Sequence, residues 1–107
     1  MLCVARRTPS EQTVYVAGYF ARWLRSQREQ RGLTQEQLAY TAGLSRNQIQ
    51  NLENNRNNDR TKPSSANPGL DTLLSLERAF GMEVGELLLS VREFMKEHEG
   101  SKEQEGS

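Results

Sequence analysis

The segment Thr34–Glu53, TQEQLAYTAGLSRNQIQNLE, decides the fold of this chain. Thr34 followed three residues later by Gln37 opens a helix: the hydroxyl accepts a backbone N–H and the amide reaches back to the cap. That helix carries Leu38, Ala39 and Ala42, and Gly43 breaks it. Ser45 then caps a second helix whose apolar residues are Ile49 and Leu52, with Leu44 just ahead of it. Two short helices therefore meet across a few residues built around a glycine, which is helix-turn-helix geometry. The rest of the second helix is crowded with amides, where Lys and Glu would keep a surface soluble equally well.

On the N-terminal side, Thr8, Pro9, Ser10 and Glu11 read as a capping box with proline at the first helical position. Val16, Phe20, Trp23 and Leu24 follow at amphipathic spacing, and Gly32 is placed to end the helix. Gly18 leaves open one long helix or a short segment followed by a helix. On the C-terminal side, residues 55–69 (NRNNDRTKPSSANPG) have turn chemistry and form a long loop for a helical domain. Leu70, Leu73, Leu74, Leu76, Ala79 and Phe80 make a fourth helix closed by Gly81, with Asp71 in its first turn. A fifth opens near Met82–Leu88 and continues through Val91, Phe94 and Met95 to about Glu97. The expected class is all-α: five helices, with residues 1–13 an arm and helix lead-in and 14–91 the domain. Residues 92–107 then form a helix extension and an acidic tail, disordered because it lacks apolar residues.

A chain of 107 residues suits one domain rather than two. Its longest apolar runs, such as Leu87–Leu89, are too short to span a bilayer, and no secretory segment follows Met1, so a cytoplasmic protein is expected. Cys3 is the only cysteine and His98 the only histidine, which leaves no disulfide, metal cluster or nucleophile–base pair to build on. No enzyme activity, cofactor or metal is implied. The formal net charge of zero conceals a division. Residues 1–62 hold ten basic and five acidic side chains, net +5, and residues 63–107 hold four and nine, net −5. A polyanion partner for the first half fits that polarity.

From about Leu24 to Leu88 the sequence resembles the Cro/C1-type (XRE-like) helix-turn-helix family of phage repressors and small bacterial regulators. The matching residues are Arg28, Arg31, Gly32, Leu33, Thr34, Gln35, Leu38 and Ala39, then Gly43, Leu44, Ser45, Ile49, Leu52, Glu53 and Asn54. Leu70, Leu73, Leu76, Ala79, Phe80, Gly81, Leu87 and Leu88 complete the pattern. The resemblance implies a lambda-repressor-like DNA-binding domain acting as a small transcriptional regulator, a dimeric repressor on a pseudo-palindromic double-stranded DNA operator. Such a protein is bacterial or phage-encoded and sits on the nucleoid when bound. Two other readings stay open: an antitoxin that masks a toxin partner and autoregulates, or the controller of a restriction–modification or phage immunity system. The loop between the third and fourth helices is roughly eight residues longer than the family's usual link.

The amides now have a use, since Asn and Gln pair bidentately with adenine and Arg with guanine. The resemblance implies that Ser45, Arg46 and Asn47 reach base edges, with Gln48 and Asn51 one turn further on. It places Thr34 and Gln35 on the phosphate backbone at a helix N-terminus. Asn54 and Arg56 are further phosphate candidates, Arg60 and Lys62 add charge, and Arg6 and Arg7 could extend as a minor-groove arm. Glu53, an acid beside DNA, is implied to face inward and pair with Arg28 as a structural salt bridge. One such helix reads few base pairs, so a homodimer is expected. Its surface would be helix five, through Leu87, Leu88, Val91, Phe94 and Met95. No membrane contact is expected.

Overall fold

The computed structural model describes residues 9–55 and 68–106, with side chains described for 11–55 and 68–98. Among these residues the chain is all-α, with α1 (Pro9–Gln30), α2 (Gln35–Ala42), α3 (Arg46–Glu53), α4 (Leu70–Ala79) and α5 (Glu86–Gly106). No helix among the described residues is long and apolar enough to cross a membrane. Thr8, the arginines Arg6 and Arg7, and Arg56, Arg60 and Lys62 of the long loop lie outside the described residues.

Helix α1 starts on Pro9, whose missing N–H costs nothing in a first turn. It runs through Gly18 without a break, which settles the alternative left by that glycine in favour of one long helix. Its buried stripe is Ala17, Phe20, Ala21, Trp23 and Leu24. Against it pack Leu38, Ala39 and Ala42 of α2, Ile49 and Leu52 of α3, Leu76 and Phe80 from α4 and its end, and Leu87 and Val91 of α5. Trp23 lies at the centre: its indole N–H donates to Ser90 Oγ at 2.8 Å, and its ring meets Phe80 edge-to-face at 5.9 Å. A buried indole needs such a partner for its one polar atom. The Arg31 guanidinium lies over the Phe80 ring, 4.4 Å from its centroid.

Helix α5 is seated by an acid that looks like surface in the sequence. Glu77 of α4 is buried, and its Oε2 accepts the N–H groups of Gly85 (2.8 Å) and Leu87 (3.0 Å). A carboxylate on the otherwise orphaned N–H groups of a first turn is favoured by hydrogen bonding and by the helix dipole.

Helix α5 runs to Gly106. One expectation is corrected. Leu87 and Val91 are each 1% exposed and belong to the core, so they are not available to a second copy. Phe94 and Met95 are partly buried against that same core. Of the residues expected at a dimer surface only Leu88 is substantially exposed, at 54%, and beside it Leu89 is exposed at 55%. In α4, Leu70 and Leu74 likewise face out while Leu76 faces in.

Candidate nucleic-acid interface

The helix pair α2–α3 is built by two copies of one local device. Thr34 Oγ1 accepts Gln37 N–H at 3.0 Å, and Gln37 Oε1 accepts Thr34 N–H at 2.8 Å. Ser45 Oγ accepts Gln48 N–H at 3.0 Å, and Gln48 Oε1 accepts Ser45 N–H at 2.8 Å. Both are complete capping boxes. Between them Gly43, at φ 71°, takes the left-handed conformation that glycine adopts without steric cost. Its N–H and that of Leu44 close back onto Tyr40 and Ala39 carbonyls. The turn is thereby short and fixed, and it sets the direction in which α3 leaves.

Helix α3 is divided cleanly. Ile49, Leu52 and Glu53 are buried, Arg46, Asn47, Gln50 and Asn54 are exposed, and Gln48 and Asn51 are half-buried. Asn54 is the C-cap, and Asn55 follows at φ 56°, a left-handed position that asparagine tolerates better than most residues. Ser45 is exposed, with its hydroxyl engaged in the cap.

Glu53 anchors the inward face. Its side chain has no exposure, and Arg28 holds it with two parallel hydrogen bonds, Nε to Oε2 at 2.6 Å and Nη2 to Oε1 at 3.0 Å. Gln35 Nε2 donates to Oε1 at 3.1 Å, and Arg25 Nε approaches the same oxygen at 3.5 Å. Arg28 Nη1 also donates to the Leu33 carbonyl at 2.8 Å. One carboxylate thus ties together α1, the turn after it, the start of α2 and the end of α3. Burial by itself pushes the Glu53 carboxyl up. The hydrogen bonds from Arg28 and Gln35, with the Arg28 charge, outweigh that and hold it below the usual carboxylate range. Arg28 is raised in turn, chiefly by its hydrogen bond to Glu53.

The hydrogen bond from Gln35 is one that sequence reasoning missed. A carboxylate only accepts, so the amide nitrogen of Gln35 has to face Glu53 and its carbonyl oxygen is the end left over. What α2 offers an anion is therefore its backbone. Thr34 takes the N–H of Gln37 with its hydroxyl and that of Leu38 with its carbonyl, and the N–H groups of Gln35 and Glu36 precede both. Nothing local signals the Gln35–Glu53 contact, since the partners are 18 residues apart. Gln50, left without a role by the sequence, lies exposed on the flank of α3.

No curated protein and no solved structure gives a match to the chain. A family model described as a helix-turn-helix domain matches residues 21–93, more than half of the chain, from the middle of α1 into α5. The matched span contains both capping boxes, the glycine turn, the polar face of α3 and the carboxylate that locks it, and the chain belongs to the helix-turn-helix family of the Cro/C1 type.

Proposed function

We propose that the protein is a cytoplasmic, dimeric repressor that reads double-stranded DNA with α3 in the major groove. The observation that carries this reading is the division of α3: Ile49, Leu52 and Glu53 locked inward, Arg46, Asn47 and Gln50 open to solvent. A helix that must enter a groove needs a packed inner side and hydrogen-bonding groups on the outer one. Arg46, Asn47 and Asn51 are the base readers, and the first-turn N–H groups of α2, beside Thr34 and Gln35, grip a phosphate. Asn54, at the C-cap of α3, is a further phosphate contact, and Arg56, two residues later in sequence, is another.

Two-fold pairing gives the reader a useful site length, with half-sites about 34–36 Å apart on one face of the duplex. The apolar surface that supports pairing is the outward part of α5, Leu88 and Leu89. Leu88 also lines an open groove with Val16, Phe20 and Leu73. That groove is the one feature that favours an antitoxin-type reading, in which a protein partner occupies it.

Selection of bound sites from random duplex DNA by the purified chain tests the function. A two-fold symmetric consensus is expected, and Arg46→Ala or Asn47→Ala should relax it while leaving the helical circular dichroism unchanged. Unaltered specificity in both variants would remove α3 as the reader.

A further inference from the structure

The corner where α1, α2 and α3 meet holds one carboxylate and two guanidinium groups. Arg25 and Arg28 are three residues apart on one side of α1, and both face Glu53. Arg28 is the structural partner: its side chain is 13% exposed and binds both carboxylate oxygens, at 2.6 and 3.0 Å. Arg25 is held differently. Its side chain is 50% exposed, and its Nε comes only to 3.5 Å from Glu53 Oε1. That oxygen already accepts from Arg28 Nη2 and from the Gln35 amide, which between them occupy its two lone pairs.

The charges at this corner do not balance. Arg28 neutralises Glu53, and the second guanidinium leaves the corner at +1. An ion pair as open to water as that of Arg25 contributes little to stability, and here a cation of like sign stands beside it. Glu29, one turn further along α1, makes no ion pair with either arginine among the described residues. Folding alone gives little reason for a cation at this position; an anion from outside gives one.

Its surroundings say which anion. Glu53 Oε1 has Arg25 Nε at 3.5 Å and Gln35 Nε2 at 3.1 Å, so Arg25 lies against the head of α2. Asn54, the C-cap of α3, follows Glu53 directly. Arg25 therefore stands between two places already proposed to meet phosphates, and it comes from a third helix. With Nε turned inward, the two Nη groups form the edge left for a partner, and such an edge matches two phosphate oxygens.

Resting on the reading of α2 and α3 as a DNA-binding pair, we propose that Arg25 contacts the phosphate backbone of duplex DNA, positioned by Glu53 at the junction of the three helices. The contact adds affinity for every duplex and carries no sequence preference.

The test is the binding of wild type, Arg25→Gln and Arg25→Lys to a random-sequence duplex and to the duplex enriched by selection, over a range of salt. Arg25→Gln should lower affinity for both duplexes by the same factor. Its plot of log K against log salt should be shallower by about 0.9 per protomer, one phosphate contact each. Arg25→Lys keeps the charge and should keep the slope. Both variants should melt close to wild type; a purely structural role would instead lower the melting temperature and leave the slope alone. Neutral methylphosphonates placed one at a time along the enriched duplex locate the contact. At one position per half-site the replacement should weaken wild type and leave Arg25→Gln unaffected. An unchanged slope in Arg25→Gln, a loss confined to the enriched duplex, or no such methylphosphonate position would each overturn the assignment and leave α3 standing as the reader. A wild type that binds neither duplex would remove the DNA reading together with it.

Discussion

Glu53 shows how one side chain can serve a binding surface that it never touches. Its carboxylate is enclosed, paired in parallel with Arg28 and held also by Gln35. The net worth of such a buried pair is small, because desolvation offsets the attraction, but removing one partner strands the other. Glu53→Ala should therefore cost about 3–5 kcal/mol in denaturant unfolding. Replacing both partners with apolar residues, Arg28→Met with Glu53→Leu, should cost far less than the two single changes together. The same carboxylate gives the protein an acid limb. Because Glu53 is held below its unfolded value, its contribution is fully present above about pH 4.3 and is lost as pH falls through the lower folded value. The stability gap between wild type and Glu53→Gln should stay constant from pH 7 to 5 and close below about pH 4. A gap that instead closed on raising the pH would contradict the direction of the shift. Gln35→Ala keeps the first-turn N–H groups of α2 and should leave binding to DNA little changed, but it should cost stability, about 1.5–3 kcal/mol for a hydrogen bond to a charged group.

At the scale of elements, what could be read from the sequence was what is local. Thr34 with Gln37, Ser45 at the head of α3 and Gly43 between them are fixed by spacings of three residues or fewer, and the structure has each in the role its spacing suggests. The bonds that lie beyond that range were not legible. Arg28 and Glu53 are 25 residues apart and were paired only through the family resemblance, while Glu77 gave no sign of seating α5. In a helical pattern an acid next to Leu76 reads as the edge of a wet face. Only the packing of α4 beside the start of α5 turns it inward. Leu70 and Leu74 failed in the opposite sense, because their spacing with Leu73 is that of a core stripe although both are exposed. Periodicity gives the existence of an apolar face but not how wide a strip of it the neighbours cover. The candidate site has both kinds: the polar face of α3 is visible as composition and the place of Gln48 in a cap follows from the same three-residue spacing as Thr34 and Gln37, whereas the Gln35–Glu53 bond exists only in the fold. Two substitutions test this level by thermal unfolding. Ser45→Ala, which removes one cap acceptor, should cost about 1 kcal/mol. Glu77→Ala, which orphans two N–H groups at the head of α5, should cost on the order of 1–3 kcal/mol or more. The reverse ranking would mean that α5 is held by its apolar contacts alone.

For the whole molecule, charge and symmetry act together. The basic residues are concentrated in the first 62 positions, net +5, and the acidic ones in the remainder, net −5. The polarity suits a protein that meets phosphates with its first helices while its last helix stays clear of them. Each phosphate neutralised releases counterions, so log K should fall linearly with log salt at about −0.9 per contact on duplex DNA. For a dimer the slope counts contacts from both protomers. Leu88 and Leu89 are exposed and distant in sequence from every residue proposed to touch DNA, so changing both to Glu leaves the reader and its phosphate contacts in place. If the outward part of α5 is the two-fold surface, Leu88→Glu with Leu89→Glu should be monomeric in sedimentation. Its affinity for a full operator should collapse to that for a half-site, and its salt slope should fall to about half the wild-type value. A variant that sediments as a monomer but keeps the full slope would show that one protomer already makes all the phosphate contacts. A variant that stays dimeric would move the two-fold surface away from α5.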